Sequence, residues 1–306
     1  ALINKLLTPL TNAILQRKGT IDKYMGDCIM AFWNAPLDNP NHAMDGCRSA
    51  LAMLAEMEPL NARLEIEAKE EVRKHIPLKV GLGLNSGPAV VGNMGSDQRF
   101  DYSVLGDCVN LAARLEGQSK TYGMNVVLGP STNEAVKDEL ATIDLDFIQV
   151  KGKTEGTYIY GLLGDTDVLQ KPEFRKVQGM IKEMMDTYRS MDFETAKRMV
   201  AEIRAYPKCW DLEADLGPLC DIYDERIDEY MINPPPADWN GVFVATSKQS
   251  GQVQGRLHHR LVFQPFHAES QCPHHVQHGM VFGHDLAGHG LRAACPAIAD
   301  HLFQQF

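Results

Sequence analysis

The chain has 306 residues, enough for one large or two modest domains that each bury a core. Its 44% hydrophobic and 23% charged residues are the balance of an ordinary globular protein, and its net charge of −10 argues against a nucleic-acid partner, whose binding is driven by Lys and Arg. The seven scattered cysteines fit a reducing compartment better than a disulfide framework, and no apolar run approaches the roughly 20 residues needed to cross a bilayer.

The chain opens on Ala1, and "LINKLLTPLTNAILQRKG" reads as a helix already in progress, stopped by Gly19. The expectation is a fragment whose beginning is missing. "TIDKYMGDCIMAFW" then holds two short strand-like runs folded about Gly26-Asp27. From His42 to about Glu71 the apolar spacing predicts a long amphipathic helix. "LKVGLGLNSGPAVVGNMG" reads as two strands in a hairpin about Asn85-Ser86-Gly87, and the stretch from Arg99 as a turn leading into a helix. "MNVVLG" is a short strand, "STNEAVKD" a small helix, and "LDFIQVKGKTEGTYIYGLLG" a strand pair. Strands alternating with helices and hairpins suggest an α+β sandwich, one sheet with helices against it, over residues 1–164.

After Asp165 the texture becomes helical and Met-rich, with a turn at Ser190-Met191-Asp192 that fits a single helical-repeat hairpin. "NPPPADW" ends this second region, 165–233. Past Lys248 there is no lysine, and nine of the eleven histidines crowd there. The span 234–306 is therefore read as a Pro-rich linker with a disordered or foreign tail. Its Cys272, His274, His275, His278, His284, His289 and Cys295 are zinc-ligand types, but their spacing matches no ligand pattern.

Three small features carry chemistry. Asn110 and Arg114, four apart on a helix, leave it on one face. That pair is either a solvated face or an amide and a guanidinium fork set to hold a sugar and a phosphate. Asp27, after Gly26 at a hairpin tip, is either a turn residue or a carboxylate for a divalent metal. Lys151 and Lys153, two apart at a strand end, are either exposed turn lysines or a polyphosphate cradle. A dinucleotide-binding loop in "GLGLNSG" is excluded, since its glycines miss the G-x-G-x-x-G spacing.

Order and spacing together say more than any of these alone. "GTIDKYMGDCIMAFWNAP", "LKVGLGLNSGPAVVGNMGSDQRFDYSVLGDCVNLAARLE" and "FIQVKGKTEGTYIYGL" closely resemble the catalytic domain of class III adenylate and guanylate cyclases, over about residues 2–164. The resemblance implies a ferredoxin-like α+β sandwich with one mainly antiparallel sheet, working as a homodimer with sites across the interface. It implies conversion of a nucleoside triphosphate to a 3′,5′-cyclic monophosphate and pyrophosphate with two Mg²⁺ or Mn²⁺ ions.

By the same resemblance, Asp27 matches a metal-binding aspartate, Lys23 the purine-reading lysine and Ser103 its partner in base recognition. Asn110 matches the ribose-orienting asparagine and Arg114 the arginine that stabilises the transition state. Lys151 or Lys153 corresponds to the triphosphate-binding lysine, and Arg99 lies near a further phosphate-contacting position. Lys23 with Ser103 resembles the adenylate pattern of a bacterial subgroup with Thr or Ser at this site, often bicarbonate-responsive, and ATP is the expected substrate. Guanylate cyclase and a non-catalytic nucleotide-binding or dimerisation module are the alternatives.

The family's other metal aspartate lies on a strand ahead of the first helix, in a "Phe-x-Asp" segment that this sequence lacks. The chain alone is thus expected to miss one metal ligand and a central strand, and to be inactive by itself. The helical region resembles the segment C-terminal to the cyclase domain in bacterial cyclases with an upstream extracellular sensor and membrane helices. That likeness implies a cytoplasmic portion of a membrane-anchored protein.

Overall fold

The computed structural model describes residues 2–149 and 155–244 in full, and the backbone of 259–264. Helix α1 (Leu2–Leu15) leads into the hairpin β1 (Thr20–Met25) and β2 (Cys28–Phe32), followed by the long helix α2 (His42–Glu70). Gly26, at φ +67°, makes the two-residue turn that joins the hairpin. Strands β3 (Val80–Leu84), β4 (Val90–Ser96) and β5 (Arg99–Leu105) precede helix α3 (Asp107–Tyr122). Then come β6 (Val126–Leu128), α4 (Pro130–Val136) and the long antiparallel pair β7 (Ala141–Gln149) and β8 (Thr157–Gly164). A one-turn helix α5 (Thr166–Leu169), the helices α6 (Pro172–Arg189), α7 (Phe193–Ala205) and α8 (Gly217–Ile232), and the short strands β9 (Phe243–Val244) and β10 (His259–Gln264) complete the described chain.

The main sheet runs β1-β2-β10-β3-β6-β8-β7-β9, and β4-β5 form a separate antiparallel ribbon. The long ladders, β1/β2 and β7/β8, are antiparallel, so the molecule is the α+β sandwich with a mainly antiparallel sheet that the sequence suggests. β10 lies between β2 and β3 and pairs parallel with both. The facing edges of β2 and β3 would otherwise leave rows of unpaired backbone N–H and C=O groups, which an extended segment satisfies.

Two sequence expectations are corrected. β3 makes no hairpin with β4; it pairs parallel with β6 and β10, while the hairpin is β4/β5, running from Val90↔Leu105 to Ser96↔Arg99. Asn85-Ser86-Gly87 looks like a turn locally, but its side chains bind distant elements. Asn85 Nδ2 donates to the Cys108 carbonyl at 3.2 Å, and Ser86 Oγ lies 2.8 Å from Thr132 Oγ1. The chain therefore leaves the sheet there. Accordingly Arg99–Leu105 is a strand, and the turn falls two residues earlier, at Asp97-Gln98.

Two apolar clusters fill the interior. One lies between helices α1 and α2 and strands β2 and β3; the other lies between β7 and β8 and the helices α6–α8. Helix α3 serves both: Cys108 and Ala112 belong to the first cluster, Leu111, Leu115 and Tyr122 to the second. It can sit this close because β3 carries glycine. A Cβ on Gly83 would stand 2.2 Å from the Ala112 carbonyl oxygen and 2.3 Å from the Glu116 amide nitrogen. The "GLG" in β3 thus belongs to helix–sheet packing.

Candidate active site

The β1/β2 hairpin and the β4/β5 ribbon bring together residues far apart in sequence. Lys23 Nζ, from β1, donates to Ser103 Oγ, from β5, at 3.3 Å. Ser103 Oγ in turn donates to Asp22 Oδ2 at 2.8 Å, and Lys23 Nζ lies 3.4 Å from Asp22 Oδ1. Two consecutive residues of a regular strand would face opposite sides of the sheet. Here the β1/β2 register slips between Ile21 and Lys23, leaving Asp22 as the extra residue of a bulge, and both side chains reach the same hydroxyl.

Asp22 is the residue that the sequence reading misses. Its side chain is fully shielded from solvent, whereas that of Lys23 is 41% exposed. Burial pushes its carboxyl pKa up, against the Ser103 hydrogen bond, the Lys23 charge and a hydrogen bond from the Val104 backbone, all of which favour the anion. The one available signal is an acidic residue beside a lysine in a strand; its direction depends on the bulge, which local sequence does not display.

Asp27 sits at the tip of the β1/β2 hairpin, yet it is buried. A mere turn carboxylate is ordinarily solvated. On α3, Asn110 is exposed and Arg114 half-buried on the face turned away from both apolar clusters. Among the described residues Arg114 Nη1 is buried without a hydrogen-bond partner, a guanidinium donor with no acceptor there. Arg99 is exposed at the turn end of the β4/β5 ribbon, and among the described residues no side-chain hydrogen bond or ion pair engages its guanidinium. Lys151 and Lys153, like the Cys/His set of the tail, lie outside the described residues.

Asp27 tests the fit of a divalent ion. A buried carboxylate is the hard oxygen donor that Mg²⁺ or Mn²⁺ prefers, and Mg²⁺ commonly takes one or two carboxylates and completes its shell with water and substrate phosphates. Among the described residues no group of three or more His, Cys, Asp or Glu forms a self-sufficient metal cage. Asp27 thus supplies one oxygen ligand of the kind such an ion takes.

The sequence profile of the "Adenylate and Guanylate cyclase catalytic domain" family matches residues 1–163. Over 164 residues the chain is 32% identical to adenylate cyclase 1 of Rhizobium meliloti, covering 54% of this chain and 24% of that protein. Over 162 residues it is 33% identical to an adenylate cyclase of Anabaena cylindrica, covering 52% of this chain and 31% of that one. The match thus spans less than a third of either relative's length. The crystal structure of the adenylyl cyclase CyaB from P. aeruginosa shares 30% identity over 54% of this chain and 81% of its own, with a TM-score of 0.47. With the profile covering more than half of its length, the chain belongs to the family of adenylate and guanylate cyclase catalytic domains.

Proposed function

We propose that the protein is an adenylate cyclase, forming 3′,5′-cyclic AMP and pyrophosphate from ATP in signal transduction. The observation that carries this reading is the Lys23–Ser103 pair, 3.3 Å apart across 80 positions of sequence. Adenine offers an acceptor at N1 and donor hydrogens on its 6-amino group. With the ammonium at N1 and the hydroxyl oxygen at the 6-substituent both are answered, whereas guanine in that orientation sets its N1–H against the ammonium and its 6-carbonyl against the hydroxyl lone pairs.

In this reading Lys23 and Ser103 hold the base, Asn110 orients the ribose and Arg114 neutralises charge on the α-phosphoryl group. Lys151 or Lys153, and Arg99, contact the polyphosphate. The ribose 3′-oxygen attacks the α-phosphorus in line; the new O–P bond forms as the bond to the β-phosphate oxygen breaks and pyrophosphate departs. Such a transfer needs positioning and charge neutralisation more than covalent help from the protein, and the Arg114 Nη1 donor, without an acceptor among the described residues, supports that role. Asp27 would hold one of two divalent ions, which when bound lower the pKa of the 3′-hydroxyl and hold the triphosphate.

A homodimer is part of the proposal. Tyr24 and Met25 on the β1/β2 hairpin, and Val90, Phe100 and Leu105 on the β4/β5 ribbon, are large apolar side chains left at least 48% exposed, the residue types that a partner surface covers. We further propose that the catalytic unit ends near residue 164, that the helical region follows it as a further segment packed against it, and that the intact protein is membrane-anchored with this portion in the cytoplasm. No described helix is itself long and apolar enough to cross a membrane.

The test is cyclic AMP formation from ATP with Mn²⁺ by the full-length protein. Product well above that of an Asp27→Ala control is expected. ATP binding without product above that control would instead revive the non-catalytic module.

A further inference from the structure

Asp22 has no part in the chemistry above, although it is the fully buried centre of the Lys23–Ser103 arrangement. Three facts define what it can do. A carboxylate only accepts hydrogen bonds, and a serine hydroxyl has a single hydrogen to give. At 2.8 Å from Asp22 Oδ2, that hydrogen is committed inward. Ser103 Oγ therefore presents only lone pairs on its other side, the direction marked by Lys23 Nζ at 3.3 Å, whose side chain reaches solvent.

We propose that Asp22 is a positioning residue for nucleobase selection: by taking the Ser103 proton and drawing in the Lys23 ammonium, it makes the pair one acceptor beside one donor. With the ammonium set at N1 and the hydroxyl oxygen at the 6-substituent, that pattern selects a 6-aminopurine over a 6-oxopurine. The inference rests on the reading that Lys23 and Ser103 face the base. Without the carboxylate, the hydroxyl rotates freely and can donate to a 6-carbonyl as readily as it accepts from a 6-amino group. Asp22 acts through its two neighbours and touches no substrate atom. The bulge is what makes this possible, because regular alternation would send the carboxylate to the opposite face.

The experiment gives ATP and GTP together to the full-length protein with Mn²⁺ and measures the ratio of cyclic AMP to cyclic GMP. That ratio reports relative kcat/KM and does not depend on how much of a preparation is active. Asp22→Ala, which leaves no acceptor for the Ser103 hydrogen, is expected to lower the ATP preference about tenfold, the scale of one oriented hydrogen bond. The change should appear mainly as a raised KM for ATP, with the KM for GTP level or falling. In an Asp22→Ala background, adding Ser103→Ala should change the ratio little, because the two act as one unit.

An unchanged ratio with both activities reduced alike would show a purely structural carboxylate and overturn the inference. Should Asp22→Ala fail to fold, Asp22→Val, suited to a strand and without an acceptor, is read by the same ratio and the same criterion. Lys23→Ala and Ser103→Ala separate the two levels of the argument. If they leave the ratio unchanged, the base-site reading itself falls; if they lower it and the Asp22 variants do not, only the role of Asp22 falls.

Discussion

At the scale of single residues, the candidate site is marked by polar groups in unusual settings. Asp27 is buried at a hairpin tip, the Asp22 side chain is buried in a bulge, and Arg114 has a buried nitrogen with no hydrogen-bond partner among the described residues. A buried guanidinium nitrogen without an acceptor contributes little to folding, since its desolvation is uncompensated. Arg114→Ala should therefore leave the thermal midpoint nearly unchanged or slightly raised. It should lower the turnover of the full-length protein by roughly 10²–10³, the loss typical of a donor aimed at transition-state charge. Arg114→Lys should recover only part of that rate, because an ammonium cannot reproduce the planar fork. Steady-state kinetics with ATP and Mn²⁺, beside a thermal melt, checks both. A fall in stability with turnover unchanged would make Arg114 a structural residue.

At the scale of elements, helices and strands were legible wherever hydrophobic periodicity was strong. The long helix after His42, the hairpin about Gly26-Asp27 and the β7/β8 pair each stand where the pattern places them. The misreading at Asn85-Ser86-Gly87 has a physical cause. Turn-forming residue types say that the chain bends, but the strand that β3 pairs with is chosen by distant edges and by the seating of α3. The Asp22 bulge escaped for a similar reason, since a one-residue register slip leaves no local trace. The glycines of β3 were read only negatively, as the wrong spacing for a dinucleotide loop, and their use becomes visible once α3 is laid against them. Gly83→Ala should therefore push on helix backbone that cannot yield, costing about 1–3 kcal/mol in denaturant unfolding. By shifting Asn110 and Arg114 it should also lower turnover, since about 1 Å of misplacement can cost on the order of 10²-fold. Gly92→Ala in β4, where a Cβ meets nothing within 4 Å, is the control and should be near neutral in the same assays.

At the scale of the whole molecule, the C-terminal helices are tied to the catalytic region by a buried polar knot. Arg226 of α8 donates to Asp146 Oδ2 of β7 at 2.6 Å, and Tyr122, at the end of α3, donates to the same oxygen at 2.5 Å. Tyr223 of α8 adds bonds to the Leu145 carbonyl at 3.0 Å and to Asp146 Oδ1 at 3.2 Å. Burial works against the Arg226 charge, and Asp146 overrides it and keeps the guanidinium protonated. The guanidinium also lies 3.4 Å over the Phe243 ring of β9. One carboxylate thus fastens α3, β7 and α8 together, and α3 is the helix that carries Asn110 and Arg114. Because a buried ion pair broken on one side leaves its partner charged and desolvated, Arg226→Leu should destabilise the protein by about 3–5 kcal/mol. Asp146→Asn added to Arg226→Leu removes that stranded charge and should recover a substantial part of the loss. Denaturant unfolding of the full-length protein and both variants measures this; equal stability of the single and double variants would mean that Asp146 is served by its tyrosines alone. Since the same carboxylate anchors the end of α3, Arg226→Leu should also lower cyclic AMP production under conditions where the variant is still folded, although no atom of Arg226 lies in the candidate site.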